Sequence, residues 1–314
     1  MSNFIFAVCV TLPVFIIIVI GYIIKRVGLI NDEFARVADR FVFKITLPLL
    51  VFKDIAEMDI HATFDPLYVV FCMAATSAMF LITWGVSYLL SKDKNFSASF
   101  TQSAARGSAA ILGIALITNI YGDSGMAPMM IVAAVPLYNL YSVIMLTCGG
   151  EKERLCGKTI LKICKNIITN PIILGIAAGV PFALLDISLP TVLDRAVDSI
   201  GSITTPLALI VIGATFNFKF ARAKLKPSVI AAILKLFIFP LLILPVAVAL
   251  GIRDSALVAV LIMAGSPTTV SAVIMAKGMG GDGVLTSNTV ILSTLLSSVS
   301  ISLWIFCLKS LMLI

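Results

Sequence analysis

The chain has 314 residues, of which 60% are hydrophobic and 12% are charged, with a net charge of +7 and a mean hydropathy of +1.10. A water-soluble globule of this size needs far more charged surface, so the composition indicates an integral membrane protein. Its six cysteines contain no CxxC pair and its single histidine is His61, which disfavours zinc hydrolysis, a Ser-His-Asp triad and bis-histidine haem ligation.

Apolar runs bounded by charges, glycines and prolines predict ten transmembrane helices, because about 20 apolar residues are needed to cross the hydrocarbon core. The first run has no preceding basic region and is interpreted as an uncleaved helix rather than a signal peptide. The ten predicted spans lie near residues 3–24, 34–53, 66–91, 98–121, 125–148, 159–185, 190–215, 225–250, 254–277 and 283–308.

Lysines and arginines are distributed unequally between the two sides of this predicted topology. Sixteen of the 23 lie on one side and four on the other. The positive-inside rule places the basic side in the cytoplasm and both termini outside. The prediction is a multi-pass protein of the plasma membrane, such as a bacterial inner membrane, in contact with the lipid bilayer. The basic charge thus indicates topology and not nucleic-acid binding.

The two halves of the chain carry similar residues at a nearly constant offset. Residues 11–13 (TLP) recur as residues 169–171 (TNP), and Gly21 recurs as Gly179, each 158 residues later. Residues 45–49 (ITLPL) recur as 203–207 (ITTPL) at the same offset. This pattern indicates an internal duplication.

Five spans per half is an odd number, so the second copy must enter the membrane from the opposite side. The predicted fold is therefore all-α, with two inverted five-helix repeats at residues 1–148 and 159–314 joined by a cytoplasmic linker at 149–158. Inverted repeats of this kind are characteristic of secondary transporters, which bind their substrate near the midplane where broken helices meet.

Small and polar residues interrupt the fourth and ninth spans at corresponding points, residues 103–110 (SAARGSAA) and 264–269 (AGSPTT). Proline removes a backbone donor, and glycine and serine allow close backbone approach. We predict that helices 4 and 9 are broken and cross near the midplane, with half-helix N-termini facing a bound anion. The alternative is a tight helix contact with an ordinary proline kink.

Three basic residues lie in the middle of predicted spans, away from the loops. Arg106 is the leading anion-binding candidate, because a buried arginine is costly and its guanidinium suits carboxylates; snorkelling or pairing with backbone carbonyls is the alternative. Lys44 is predicted to point into a cavity as a second cation. Lys235 lies nearer the cytoplasmic edge and is predicted to snorkel. No acidic residue lies clearly in mid-span, although Asp39 could reach a cavity, so an anionic substrate is favoured.

Buried amides supply further candidates, although interhelical hydrogen bonding is their commoner use. Asn139 in the fifth span is favoured over Asn288 in the tenth. No catalytic residue, metal ligand or cofactor is predicted. The full set of predicted substrate-binding residues is Lys44, Arg106, Gly107, Ser108, Asn139, Ser266, Pro267, Thr268 and Thr269.

Several motifs resemble the auxin efflux carrier family, and most closely its bacterial members named malonate or malate permeases. They are FVFKITLP at 41–48, RGSAAILGI at 106–114, VPLYN at 135–139, NPIILG at 170–175 and SPT at 266–268. The resemblance implies a fold related to the bile acid sodium symporters, with a scaffold of helices 1, 2, 6 and 7. It also implies a transport domain of helices 3–5 and 8–10 that moves like an elevator and carries an organic anion.

Two positions depart from the family pattern. Many relatives have an asparagine where this chain has Ser108, and an aromatic residue is common where it has Lys44. An additional cation at residue 44 would suit a substrate with a second carboxylate.

The sequence therefore predicts a secondary transporter of a small mono- or dicarboxylate, such as malonate or malate, that works by elevator-type alternating access. An anion channel and a membrane-embedded sensor of the same ligand are the alternatives. An enzyme is disfavoured, since one histidine and few intramembrane carboxylates supply little acid–base chemistry. The coupling ion (Na⁺, H⁺ or none), the direction of transport and the choice between monomer and homodimer are left open by the sequence.

Overall fold

The computed structural model describes residues 2–57, 65–109, 116–118, 120–122, 125–150 and 164–314, and side chains from residue 12 onward except at Gly150 and Phe218. Within these ranges all regular secondary structure is helical and no strand occurs. His61, most of the predicted linker at 149–158 and the second half of the RGSAAILGI motif lie outside the described residues.

The first half of the chain contains α1 (Ser2–Arg26), α2 (Asp32–Phe41), α3 (Leu47–Ala56), α4 (Pro66–Leu90), α5 (Lys94–Ala105) and α6 (Ala127–Gly150). The second half contains α7 (Pro171–Leu184), α8 (Thr191–Ser202), α9 (Thr204–Ala214), α10 (Phe218–Ala223), α11 (Leu225–Ile233), α12 (Phe239–Ala249), α13 (Asp254–Gly265), α14 (Val270–Gly278) and α15 (Gly283–Ser310). Two π-helical turns, Val42–Thr46 and Leu234–Ile238, join α2 to α3 and α11 to α12.

Several helices begin at a side chain that accepts hydrogen bonds from first-turn amides, which satisfies donors that the helix itself leaves unpaired. These N-cap residues are Asn31, Asp65, Asp93, Asn170, Asn217 and Asp282.

By length and composition, six helical stretches in the described part of the chain could cross a membrane. They are Pro66–Leu90, Ala127–Gly149, Thr191–Ala214, Leu225–Ala249, Asp254–Gly278 and Gly283–Ser310. All six coincide with predicted spans. The other four predicted spans fall on α1, on α2 with α3, on α5 and on α7, so the full count of ten stays a prediction.

The helices pack in two groups. In the first, α3 contacts α7 and α8, and α9 contacts α1 and α2. In the second, α4, α5 and α6 contact one another, and α15 contacts α11, α13 and α14. Helix α13 is central to the second group, because every residue from Leu257 to Gly265 is buried. A helix that is apolar and buried on all sides is typical of a core position.

Glycines permit the closest contacts of the first group. A Cβ added at Gly175 of α7 would lie 2.5 Å from the carbonyl oxygen of Pro48, and one at Gly179 would lie 2.8 Å from that of Phe52. In the same way, a Cβ at Gly21 of α1 would collide with the carbonyl of Ile210 in α9. The backbones of these helices therefore approach more closely than any residue with a side chain would allow.

Candidate functional site

The helices of the predicted fourth and ninth spans are interrupted where their small and polar residues lie. Helix α5 ends at Ala105, and Arg106 has an extended backbone with φ −81° and ψ 131°. Helix α13 ends at Gly265, and extended conformations at Ser266 and Thr269 separate it from α14.

The two interruptions contact each other directly. The amide of Ser108 donates a hydrogen bond to the carbonyl oxygen of Pro267 at 2.9 Å. The hydroxyl of Thr268 donates to the carbonyl oxygen of Ser103 at 2.7 Å. A Cβ at Gly107 would collide with the hydroxyl of Ser266, so a larger residue at this contact requires the side chains of Ser266 and Lys235 to move. Backbone groups freed by the two breaks thus bond to each other across the crossing.

Arg106 lies beside this crossing with 5% of its surface exposed. One terminal nitrogen donates to the amide oxygen of Asn139 at 2.7 Å and to the hydroxyl of Ser271 at 2.9 Å. The other lies 2.7 Å from the sulfur of Met275, a weak acceptor. Its Nε has no hydrogen-bond partner, and no ion pair to Arg106 is found among the described residues. The guanidinium is oriented by neutral groups and keeps its positive charge uncompensated by direct contact.

A cavity of about 340 Å³ opens beside Arg106, between the two groups of helices. One wall comes from the interrupted helices and α6, and the other from α3, α8 and α9. Small-molecule sites typically have volumes of about 300 to 1,000 Å³. Its polar lining residues are Asp54, Arg106, Ser108, Tyr138, Asn139, Ser202, Thr204, Thr205, Thr269 and Ser271.

The N-terminal end of α14, which is the positive end of its helix dipole, faces this cavity. Thr269, its N-cap residue, lines the cavity and makes no side-chain capping bond. The N-terminal end of a helix carries partial positive charge and unpaired amides, which favour a bound anion. The hydroxyl of Thr204, on the opposite wall, is buried without a partner among the described residues. The cavity thus combines a guanidinium and a helix N-terminus with the carboxylate of Asp54 on the opposite wall.

The structure brings five of the nine predicted site residues to this cavity: Arg106, Gly107, Ser108, Asn139 and Thr269. Ser266 and Thr268 are buried within the crossing behind it, and Pro267 accepts the hydrogen bond from Ser108 there.

Lys44 is placed elsewhere. It is exposed in the π-helical turn Val42–Thr46 and does not line the cavity.

The prediction that Lys235 snorkels to the cytoplasmic edge of the membrane is wrong. It does not snorkel: its side chain is fully buried, and Nζ donates to the carbonyl oxygens of Ala105 at 3.0 Å and Met263 at 2.9 Å. The interrupted helices supply acceptors inside the protein, so the ammonium has no need to reach the membrane surface.

A second cavity, of about 380 Å³, contains Asp39 and Asn288. The Nζ of Lys277 lies 3.1 Å from the carboxylate of Asp39, so these opposite charges pair with each other. The side chain of Asn288 donates to the carbonyl oxygen of Ala221 at 2.8 Å, a structural hydrogen bond. Because its charges are already paired, this cavity is less suited to an anion than the one beside Arg106.

Sequence reasoning missed Asp54, Tyr138, Ser271 and the threonines at 204 and 205, all of which line the first cavity. Asp54 lies one residue beyond the predicted end of the second span. Thr204 and Thr205 belong to the ITTPL segment that repeats ITLPL. The internal duplication could therefore have identified them as candidate site residues. Tyr138 and Ser271 neighbour predicted site residues but had no separate signal.

Comparison with known proteins identifies a family of membrane transport proteins, and one of the relatives is named as a signaling protein. A family model described as "Membrane transport protein" matches residues 6–305. An "Uncharacterized transporter" of Methanothermobacter thermautotrophicus is 26% identical over 300 residues, covering 93% of this chain and 95% of that protein. A "Putative malonate transporter" of Rhizobium meliloti is 23% identical over 306 residues, covering 95% of each. A "Lysosomal cholesterol signaling protein" of Mus musculus is 23% identical over 252 residues, covering 74% of this chain and 28% of that protein.

Proposed function

The chain belongs to the family of membrane transport proteins that includes the auxin efflux carriers, and we propose that it is a secondary transporter of a small mono- or dicarboxylate such as malonate or malate. The observation that carries this proposal is the buried Arg106 guanidinium, which faces a cavity without an ion pair among the described residues. A buried charge in a membrane protein normally has a partner. Asp54 lines the same cavity but forms no ion pair with Arg106 among the described residues, so a carboxylate of the substrate can supply the direct partner.

The proposed binding mode assigns each carboxylate a partner. One carboxylate binds Arg106, whose orientation is set by Asn139 and Ser271. The same or the second carboxylate lies at the N-terminus of α14, beside Thr269.

Asp54 limits what the cavity accepts. Its carboxylate lines the wall made by α3 and interacts electrostatically with Arg106. It repels a bound anion more strongly as the negative charge of that anion rises, and the volume of about 340 Å³ suits a small molecule. Both features favour a mono- or dicarboxylate over a tricarboxylate.

Symmetric contacts support the proposed inverted repeats. The contact of Gly21 with Ile210 has a counterpart in that of Gly179 with Phe52. Each partner in one contact is 158 residues from its equivalent in the other. A contact between copies recurs in this exchanged way when the copies are related by a twofold axis.

The position of the cavity between the two helix groups supports elevator movement. We propose that α1, α2, α3, α7, α8 and α9 form the scaffold and that α4, α5, α6 and α11–α15 form the transport domain. The substrate then crosses the plasma membrane with the transport domain, and both termini lie outside. Arg106 and the crossing would move together with the substrate.

The proposal is tested by uptake of radiolabelled malonate into proteoliposomes, with empty liposomes as the blank. Unlabelled malate, succinate, citrate and indole-3-acetate are added as competitors. The proposal predicts saturable uptake that malate or succinate reduces and that citrate reduces least. Uptake equal to that of empty liposomes, with no competitor altering thermal stability, would refute the carboxylate assignment.

A further inference from the structure

A groove of about 410 Å³ lies between α10 and α15, at the end of the helices that the basic loops assign to the cytoplasm. Its walls are mainly apolar and include Phe216, Leu225, Ile291 and Leu292. Among the described residues that line it, Arg222 alone is charged. The groove therefore combines an apolar interior with a single guanidinium.

The groove reaches from the end of the helices into the depth of the membrane. Helix α15 begins at Gly283, so Ile291 and Leu292 lie about 12 to 14 Å along it at 1.5 Å per residue. Arg222 lies in the short helix α10, next to the first residue of α11. Since the headgroup layer on each side of a bilayer is about 5 to 8 Å thick, the apolar part of the groove lies at the level of acyl chains.

An exposed apolar face of α15 continues from the groove. Leu295, Val299, Leu303 and Phe306 are exposed on the protein surface. They follow Leu292 at intervals of three or four residues and so lie on one face of the helix. An acyl chain that fills the groove can therefore continue along α15 towards the centre of the bilayer.

The cations at the groove have no carboxylate partner in the described part of the chain. Lys219 and Arg222 are exposed, lie three residues apart in α10 and form no ion pair there. Lys224 differs, because its Nζ lies 2.7 Å from the carboxylate of Asp282. No acidic residue occurs in the sequence from 199 to 253. The groove thus offers positive charge to a ligand from outside the chain.

We propose that this groove binds an anionic phospholipid of the cytoplasmic leaflet, with the phosphate at Arg222 and Lys219 and one acyl chain between Leu225 and Leu292. Basic pockets between transmembrane helices on the cytoplasmic side suit anionic headgroups, and the arginine fork matches a phosphate. A soluble anion would leave the apolar walls uncovered, and a neutral lipid would leave the two cations unpaired. The site requires only that the chain lies in a membrane and does not depend on the proposed transport of a carboxylate.

Equilibrium binding of tritiated dioleoyl phosphatidylglycerol to the delipidated, detergent-purified protein tests the proposal. The competitors are unlabelled phosphatidylglycerol, dioleoyl phosphatidylcholine and glycerol 3-phosphate, and no malonate is present. We expect saturable binding that phosphatidylcholine displaces at least about fivefold less well than phosphatidylglycerol, because each basic residue near a membrane surface contributes about that factor. Glycerol 3-phosphate, which has the headgroup charge without acyl chains, is expected not to displace the label.

Charge variants separate a specific site from general attraction to an anionic surface. Arg222→Gln and Lys219→Gln are each expected to weaken binding of phosphatidylglycerol about fivefold and to leave that of phosphatidylcholine unchanged. Arg40→Gln is the matched control. Arg40 is exposed on α2, at the same predicted side of the membrane, and forms no ion pair with a described residue. This variant should bind both lipids as the native protein does.

A second pair of variants tests the acyl-chain part of the groove. Leu292→Trp fills the groove and is expected to weaken binding of both lipids, whereas Leu292→Ala leaves it open and should keep the preference for phosphatidylglycerol. Elution volume and Tm show whether each variant is folded. If Leu292→Trp does not fold, Arg222→Gln decides the question, because Arg222 is exposed and its replacement disturbs no packed core.

Several results would overturn the lipid assignment. Equal displacement by phosphatidylglycerol and phosphatidylcholine would remove the role of the cations. An equal loss in Arg40→Gln and Arg222→Gln would show general surface attraction, and an unchanged affinity of Arg222→Gln would place the lipid elsewhere. Displacement by glycerol 3-phosphate would indicate a site for a soluble phosphate compound.

Discussion

Replacing Arg106 by glutamine removes the proposed anion partner while keeping a polar side chain. In the structure the guanidinium donates to Asn139 at 2.7 Å and to Ser271 at 2.9 Å, and its Nε has no partner among the described residues. Glutamine can retain one of these hydrogen bonds but carries no charge. A bound carboxylate would then be left in a buried site without its counter-charge.

The expected loss follows from the burial of Arg106. Removing one partner of a buried, hydrogen-bonded charge pair typically costs about 2 to 5 kcal/mol of binding free energy. Since each 1.4 kcal/mol corresponds to about tenfold in Kd, malonate binding by Arg106→Gln should weaken roughly 30-fold to roughly 4,000-fold. Arg106→Lys keeps the charge but not the two-pronged geometry, so an intermediate loss is expected.

The assay is equilibrium binding of radiolabelled malonate to the detergent-purified variants, with Tm and elution volume as checks of folding. Arg253→Gln is the matched control, because Arg253 is exposed and donates only to backbone carbonyls, those of Val248 and Ile252, among the described residues. It should bind malonate as the native protein does. A folded Arg106→Gln variant with unchanged affinity would refute the reasoning, and an equal loss in Arg253→Gln would show a non-specific charge effect.

Further substitutions test other parts of the site. Asp54→Asn removes a negative charge that faces the anion, so malonate should bind tighter by about 1 kcal/mol, near fivefold; weaker binding in the same assay would contradict this placement of Asp54. Lys44→Gln should leave malonate affinity unchanged, because Lys44 is exposed and does not line the cavity. A loss of affinity as large as that of Arg106→Gln would show that Lys44 binds the substrate. Gly107→Ala should lower the free energy of unfolding by about 1 to 3 kcal/mol, since its Cβ would crowd Ser266 and Lys235. A Gly107→Ala protein with native Tm would show that the crossing is less tightly packed than described.

The interruptions of the two helices could be predicted because their causes are local. Proline, glycine and serine weaken a helix wherever they cluster, and an arginine in an apolar run marks a polar environment. These signals placed Arg106, Gly107 and Ser108 at the cavity. They also identified the family, since the motifs around the breaks are the ones that carry the resemblance.

The lysines could not be assigned because their depth in a span does not give the direction in which they point. Lys44 and Lys235 both lie in π-helical turns, which insert residues into the helix and change the facing of the side chains. The carbonyls that hold Lys235 belong to Ala105 and Met263, far away in the sequence. Long-range pairing of this kind leaves no trace in a local pattern.

Counterflow in proteoliposomes tests the central claim most directly. Vesicles are loaded with unlabelled malonate, and the entry of radiolabelled malonate is followed with the membrane potential clamped at zero. A carrier that alternates its access predicts transient accumulation of label above equilibrium, which Arg106→Gln abolishes and Arg253→Gln preserves. Label that equilibrates without exceeding the outside concentration, at a rate that does not saturate, would contradict a carrier and indicate a channel.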